Sequence, residues 1–223
     1  MRPVIEVDVW SDVVCPWCYI GKRRFERAVA EVADDIDVQV TYRPYQLDPT
    51  ASPGQSSPVA EAYARKFGGP ERAAQIIGHV TAVAAEDGIE FRMDRALRAN
   101  TLLAHRLLWL ASATGHQEAL KEQLLRAYFI DGLDVGDPDT LADCAAQVGL
   151  DRDRIRAFLD SDDGVAQVRE QLAFAHEHGI TAVPSYVIGR AGSEQRFMVP
   201  GAQDTELFVR VLRRMAAQQP SDG

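Results

Sequence analysis

Apolar positions along the chain follow two different periods. Residues 4–10 form a run of largely β-branched apolar side chains, which predicts a short buried strand that Ser11 and Asp12 break. Within residues 16–33, Ile20, Phe25, Ala28, Val29 and Val32 recur at roughly helical spacing, so a helix follows almost at once. Residues 38–42, VQVTY, return to the strand pattern. A βαβ opening results, for which a parallel pair with a right-handed crossover is the expected topology. Residues 46–58 contain three prolines and little that is apolar, which predicts a loop.

Between residues 59 and 178 the period is helical almost throughout, interrupted at Gly68-Gly69-Pro70, Asp87-Gly88, Gly115, Asp131-Gly132 and Gly149. About six helices are expected there, one over 95–113 and another over 116–130. Asp137-Pro138 pairs a capping residue with a proline at the first helical position. After Gly179 the strand signal returns at 185–188 and 196–199, with Gly189-Arg190-Ala191-Gly192 as a hairpin-like turn. An amphipathic helix over 205–217 closes the pattern, and 218–223 is expected to fray. The order is βαβ, helical block, ββα. The flanking halves have too few strands to fold separately, so the block reads as an insertion in one α/β domain.

Composition narrows the classes. At 223 residues the chain can bury a sizeable core without disulfides or metals. No run approaches the roughly 18 apolar residues of a membrane helix, so no membrane span is expected. Glu6 and Asp8 interrupt what would have to be the apolar segment of an export signal, so the expected compartment is the cytoplasm. A net charge of -9, with scattered arginines, argues against nucleic acid and anionic lipid as partners. Three cysteines in such a chain point away from a structural disulfide framework and towards local thiol chemistry.

That chemistry centres on Cys15-Pro16-Trp17-Cys18, placed where the first strand ends and the first helix begins. A thiol at a helix N-terminus meets unsatisfied N–H groups and the positive end of the macrodipole, which favour the thiolate. Cys15 is thus the candidate nucleophile. Cys18, one turn later, is placed to attack a mixed disulfide. Two rival readings remain: half of a zinc site, and two cysteines that act only as small buried hydrophobes. Structural zinc wants four ligands, and neither Cys144 nor the five histidines supply a second CxxC or an HxxxH. No metal is expected.

SDVVCPWCYIGKRRFE and GITAVPSYVIG, flanking a helical insertion, resemble the thioredoxin-fold DsbA family. More narrowly they are similar to its FrnE-like branch, polyketide-biosynthesis-type dithiol-disulfide isomerases related to 2-hydroxychromene-2-carboxylate isomerase and glutathione transferase kappa. Tyr42-Arg43-Pro44-Tyr45-Gln46-Leu47, Asn100-Thr101, Ala104-His105-Arg106-Leu107 and Ala127-Tyr128-Phe129 carry the likeness further. It implies a thioredoxin-like domain from residues 1–50 and 179–217, with residues 59–178 as the helical insertion. It also implies Cys15 as attacking thiol, Cys18 as resolving thiol, and Val183-Pro184 as a cis-proline loop facing them. Pro16, Trp17 and Asn100 join Val183 and Pro184 as the implied substrate-binding set, with Trp17 and Tyr19 as an apolar rim.

Asn100 is expected within an apolar helix, either lining the site or making a helix-helix hydrogen bond. Asp12 either modulates the thiol or caps the helix. Cys144 reads as a buried inert thiol, His176 and His178 as a basic helix end, and Lys22, Arg23 and Arg24 as a solvated face. The expected activity is protein thiol-disulfide exchange on a protein or small-molecule substrate. The alternative is a glutathione-dependent isomerase of a small aromatic or polyketide-like compound. A noncatalytic binding module is a third reading. No tightly bound cofactor is expected, with glutathione as the candidate co-substrate. Oligomeric state is left open, a dimer being one option.

Overall fold

The computed structural model describes residues 2–218. The frayed tail expected from residue 218 onward therefore lies almost entirely outside the described residues. Strand β1 (Val4–Ser11) leads into helix α1 (Pro16–Val32) and then β2 (Asp37–Pro44), which pairs parallel to β1 with Val4 opposite Asp37 and Ser11 opposite Pro44. At the far end β5 (Ser185–Arg190) runs antiparallel to β1, and β6 (Arg196–Pro200) antiparallel to β5. The sheet order is β2-β1-β5-β6. Helix α9 (Thr205–Ala217) closes the chain. This is the thioredoxin-like α/β architecture expected from the sequence.

Between the halves lie α2 (Val59–Phe67), α3 (Pro70–Glu86), α4 (Leu102–Ser112), α5 (Gln117–Arg126), α6 (Pro138–Gln147), α7 (Arg152–Asp160) and α8 (Val165–Glu177). These are seven α-helices among the described residues where about six were expected, and two boundaries differ. The helix expected over 95–113 begins only at Leu102, because Leu97–Arg98 forms a two-residue strand, β4, against β3 (Ser57–Pro58). Asn100 then turns the chain, its Oδ1 accepting from the Leu102 N–H at 3.0 Å. The helix expected over 116–130 is α up to Arg126 and widens into a π turn over Ala127–Asp131. Gly132 ends it at φ 72°, where a Cβ would lie 2.5 Å from that of Arg95. Likewise Gly189 and Arg190, expected in the hairpin turn, lie in β5, with Gly189 opposite Arg196 of β6 and Arg190 opposite Ile5 of β1.

Alternation in β1 sends Ile5, Val7 and Val9 to one face, where they meet Phe25, Ala28 and Val32 of α1, Tyr186 and Ile188 of β5, and Phe208 and Leu212 of α9. A second core, including Leu107, Leu120, Leu124 and Phe129, fills the insertion. Helix α1 contributes to both, since its first turns add Tyr19 and Ile20 to the insertion's core.

Ion pairs reinforce that junction. Lys22, expected on a solvated face, is buried and donates to Glu26 and, at 2.8 Å, to Glu122 of α5. Arg23 donates to Glu26 at 3.0 Å and to Glu122, and Arg24 reaches Asp87 at 2.8 Å. The basic run is a clamp between α1 and the insertion, because acidic partners about 60 to 100 residues away fold over it.

Candidate active site

The strand-to-helix junction places the two thiols. Cys15 occupies the N-cap of α1 with extended backbone (φ -90°, ψ 115°), and its carbonyl accepts from the Cys18 N–H at 3.0 Å. Pro16 fills the first helical position, where a missing N–H leaves nothing unsatisfied. Both cysteines are free thiols and both are buried, each 3% exposed. Burial pushes the Cys18 thiol well above the usual range, and its hydrogen bond to Cys15 adds to this. Lys121 and a backbone hydrogen bond from Asp12 pull the other way.

The Val183-Pro184 bond is cis, and the Cys15 thiol points at the Val183 carbonyl with Sγ 3.8 Å from the oxygen. Pro184 rests on α1 at Gly21. A Cβ there would lie 3.0 Å from Pro184 Cγ and 2.7 Å from the Tyr186 hydroxyl. Gly21 is a positioning residue that the sequence reading overlooked. Its signal was a glycine inside a helix, one turn beyond the motif, where only close approach of another segment compensates the helix cost.

Above the thiols opens a cavity of about 670 Å³. Cys15, Pro16, Trp17 and Val183 form one side, and Tyr63 of α2 and Tyr128 face them from the insertion. Trp17 is 37% exposed, with its ring 6.1 Å from that of His79. Tyr19, expected at the rim beside Trp17, is instead buried, its ring tilted against those of Phe91 and Phe129, and donates its hydroxyl proton to Glu122 at 2.8 Å. Asn100 lies in the chain before α4 rather than within a helix, with its Nδ2 donating to the Ala51 carbonyl at 2.7 Å. Its amide is spent holding the 46–58 loop, while neighbouring Arg98 and Ala99 line the cavity.

Behind the motif lies a polar cluster with no local sequence pattern. Asp12 is fully buried. Its Oδ1 accepts from the Val13 N–H at 2.8 Å and its Oδ2 from the Leu47 N–H at 2.8 Å. His105 Nε2 sits 3.2 Å from Asp12 Oδ1 and 2.9 Å from the Tyr45 carbonyl. Both partners accept, so this nitrogen carries the proton. Asp12 thus ties the motif turn to the loop after β2, and the N-cap, one of its two expected roles, is taken by Cys15.

Lys121 of α5 completes the cluster. It is 1% exposed, its Nζ has no hydrogen-bond partner, and it lies 5.7 Å from the centre of the Tyr42 ring. Burial lowers its pKa against the opposing pull of Cys18 and Asp12. Cys144, by contrast, stands alone in the insertion core, where burial pushes its thiol up to about 11.

A strand delivering two free thiols to a helix start, opposite a cis-proline, defines the disulfide-exchange class of thioredoxin folds. The chain matches the DsbA-like thioredoxin domain over residues 6–213 and belongs to that family of thiol-disulfide oxidoreductases. Among solved structures it is similar to a probable DsbA oxidoreductase from Streptomyces coelicolor, with 34% identity and a TM-score of 0.87 over 98% of this chain and 93% of that one. It is also similar to the uncharacterized Bacillus subtilis protein YwbO, 28% identical over 210 residues, covering 93% of this chain and 96% of YwbO. A 2-hydroxychromene-2-carboxylate isomerase shares the fold at 16% identity, with a TM-score of 0.64 over 94% and 95% of the two chains. Among the described residues no helix is long and apolar enough to cross a membrane.

Proposed function

We propose that this chain exchanges disulfides through Cys15 and Cys18. Cys15 thiolate attacks one sulfur of a substrate disulfide, and the other substrate sulfur leaves with the electron pair. Cys18 then attacks Cys15, releasing the second substrate thiolate and leaving a Cys15-Cys18 disulfide. The reverse sequence oxidises a dithiol. The observation that carries this reading is positional: Cys15 lines the cavity facing Val183, whereas Cys18 lies beneath it and is not among the cavity-lining residues. Val183 offers its backbone to an extended substrate in the manner of strand addition, and Pro16 and Trp17 wall the approach.

Cys18→Ser should convert the protein into a trap. Incubation with a disulfide substrate is expected to leave a stable adduct on Cys15, read as one added substrate mass in intact mass spectrometry. Absence of any adduct would count against Cys15 as the attacking thiol.

The cavity also supports a second reading, glutathione-dependent isomerisation of a small molecule. Its volume suits a small ligand, and Arg65, Lys66 and Arg98 line it beside the aromatic walls, where they would meet the carboxylates of glutathione. This reading requires reduced glutathione to bind. A melting temperature unmoved by millimolar glutathione would remove it.

A further inference from the structure

We infer that the thiol cavity selects cysteines in extended acidic peptide segments, and that Arg65 and Lys66 of α2 determine this specificity. The inference rests on the exchange reading above and names the substrate class of that same site. It starts from a contrast of charge. The chain as a whole carries a net charge of -9. Yet among the described residues one carboxylate lines this cavity, Asp48, against three cations, Arg65, Lys66 and Arg98. Asp48 is already spent. It accepts from Arg98 at 2.7 Å and from the N–H and hydroxyl of Thr50 at 3.1 and 2.6 Å.

Two cations are left without a matching carboxylate. Arg65 lies 3.9 Å from Glu61 of its own helix, with the two side chains 63% and 61% exposed, a pairing that water nearly cancels. Lys66 projects over the ring of the adjacent Phe67 at 5.6 Å, and no carboxylate pairs with it among the described residues. Their place in the last turn of α2 suits the helix dipole. The dipole does not require that turn to end at the thiol cavity. Beside these charges the walls are apolar and open: Trp17, Leu47 and Phe67 are 37%, 37% and 39% exposed, and all three line the cavity. Apolar surface left open in this way gains from being covered.

An extended peptide supplies a backbone, an apolar side chain and a carboxylate together. The cavity reaches Thr181, Ala182 and Val183, irregular backbone just ahead of the cis-proline. Among the described residues the N–H groups of Ala182 and Val183 meet no backbone acceptor. A substrate strand can therefore pair there, with its cysteine sulfur at Cys15. Such a strand advances about 3.3 Å per residue, so a cavity of about 670 Å³, roughly 9 Å across if equidimensional, takes the cysteine and about one residue on each side. Those flanking side chains meet the apolar wall and the two cations. Two exposed charge pairs are together worth about tenfold in rate.

The test uses reduced full-length protein and short peptides that carry one phenylalanine and a cysteine activated as a pyridyl disulfide, flanked by glutamate, glutamine or lysine. Cys15 thiolate attacks the peptide sulfur, the S–S bond of the probe breaks, and the absorbing pyridinethione leaves with the electron pair. Closure by Cys18 then frees the peptide without further colour. Each rate is divided by that of the same peptide with free mercaptoethanol. In the wild type the glutamate peptide is expected to react about tenfold faster than the glutamine peptide, and the lysine peptide more slowly still. The gap should shrink below about twofold in 1 M salt, where the screening length is about 3 Å. In Arg65→Gln/Lys66→Gln the three peptides should converge to within about twofold at low salt. Equal rates in the wild type, or a glutamate preference that survives the double substitution, would overturn the proposal. So would a double substitution that slows only oxidised glutathione, since the cations would then serve a small molecule. If the variant does not fold, the wild-type salt series decides: a preference indifferent to salt would overturn the proposal equally. Failure to release pyridinethione from any peptide would instead sink the exchange reading, and this inference with it.

Discussion

Cys15→Ser is expected to reduce turnover of insulin or of glutathione disulfide by at least about a thousandfold, equivalent to about 4 kcal/mol of barrier. The reacting species in exchange is a thiolate, and a serine hydroxyl at the same N-cap cannot take its place. The replacement is nearly isosteric, and the Cys15 thiol's contacts, with the Val183 carbonyl at 3.8 Å and with the Cys18 thiol, are weak hydrogen bonds. The variant should therefore melt within a few degrees of the wild type. That combination separates loss of chemistry from loss of fold. Undiminished turnover would show that Cys18 or Cys144 does the attacking, although neither lines the cavity that Cys15 lines.

The second large effect concerns the frame that aims the thiols. Phe208 of α9 is fully buried, with its ring 5.1 Å from Phe25 of α1 and 4.6 Å from Tyr186 of β5. These rings join the closing helix, the motif helix and the strand that follows the cis-proline. Phe208→Ala should cost about 3 to 5 kcal/mol, the range for a buried phenylalanine that leaves a cavity. Against a total stability of about 5 to 15 kcal/mol this is a major loss. Urea unfolding should show it as a lower midpoint with an unchanged slope. A loss under about 1 kcal/mol would mean that the aromatic cluster collapses into the space.

Those two sites also show which features were legible in the sequence. Phe25 and the amphipathic helix that carries Phe208 announce themselves through helical spacing, and Cys15 and Cys18 through a motif contained in four residues. Where the determinant is local, period and spacing suffice. The two-residue ladder of Ser57–Pro58 with Leu97–Arg98 is too short to have a period, so the helix was placed too early and Asn100 inside it. Val183 meets Cys15 across 168 residues, and only resemblance to a family brought that pair together. Asp12, His105 and Lys121 converge from three elements, and nothing in the local spacing of any one of them announces the others. The basic run at Lys22 misled for a related reason: charge patterning reports a solvated face unless its partners arrive from elsewhere, as Glu122 and Asp87 do.

Helix α1 belongs to both hydrophobic cores, and this bears on any attempt to pare the molecule down. A shortened chain splicing residue 50 to residue 179 would keep the four strands of the β2-β1-β5-β6 sheet, both thiols and the cis-proline. It would also strip the cover from Tyr19 and Ile20, strand Lys22 without Glu122, and delete Lys121. The helical block is therefore no detachable lobe. It forms the back wall of the motif, and a minimal redox module could be cut from this chain only by redesigning the first two turns of α1.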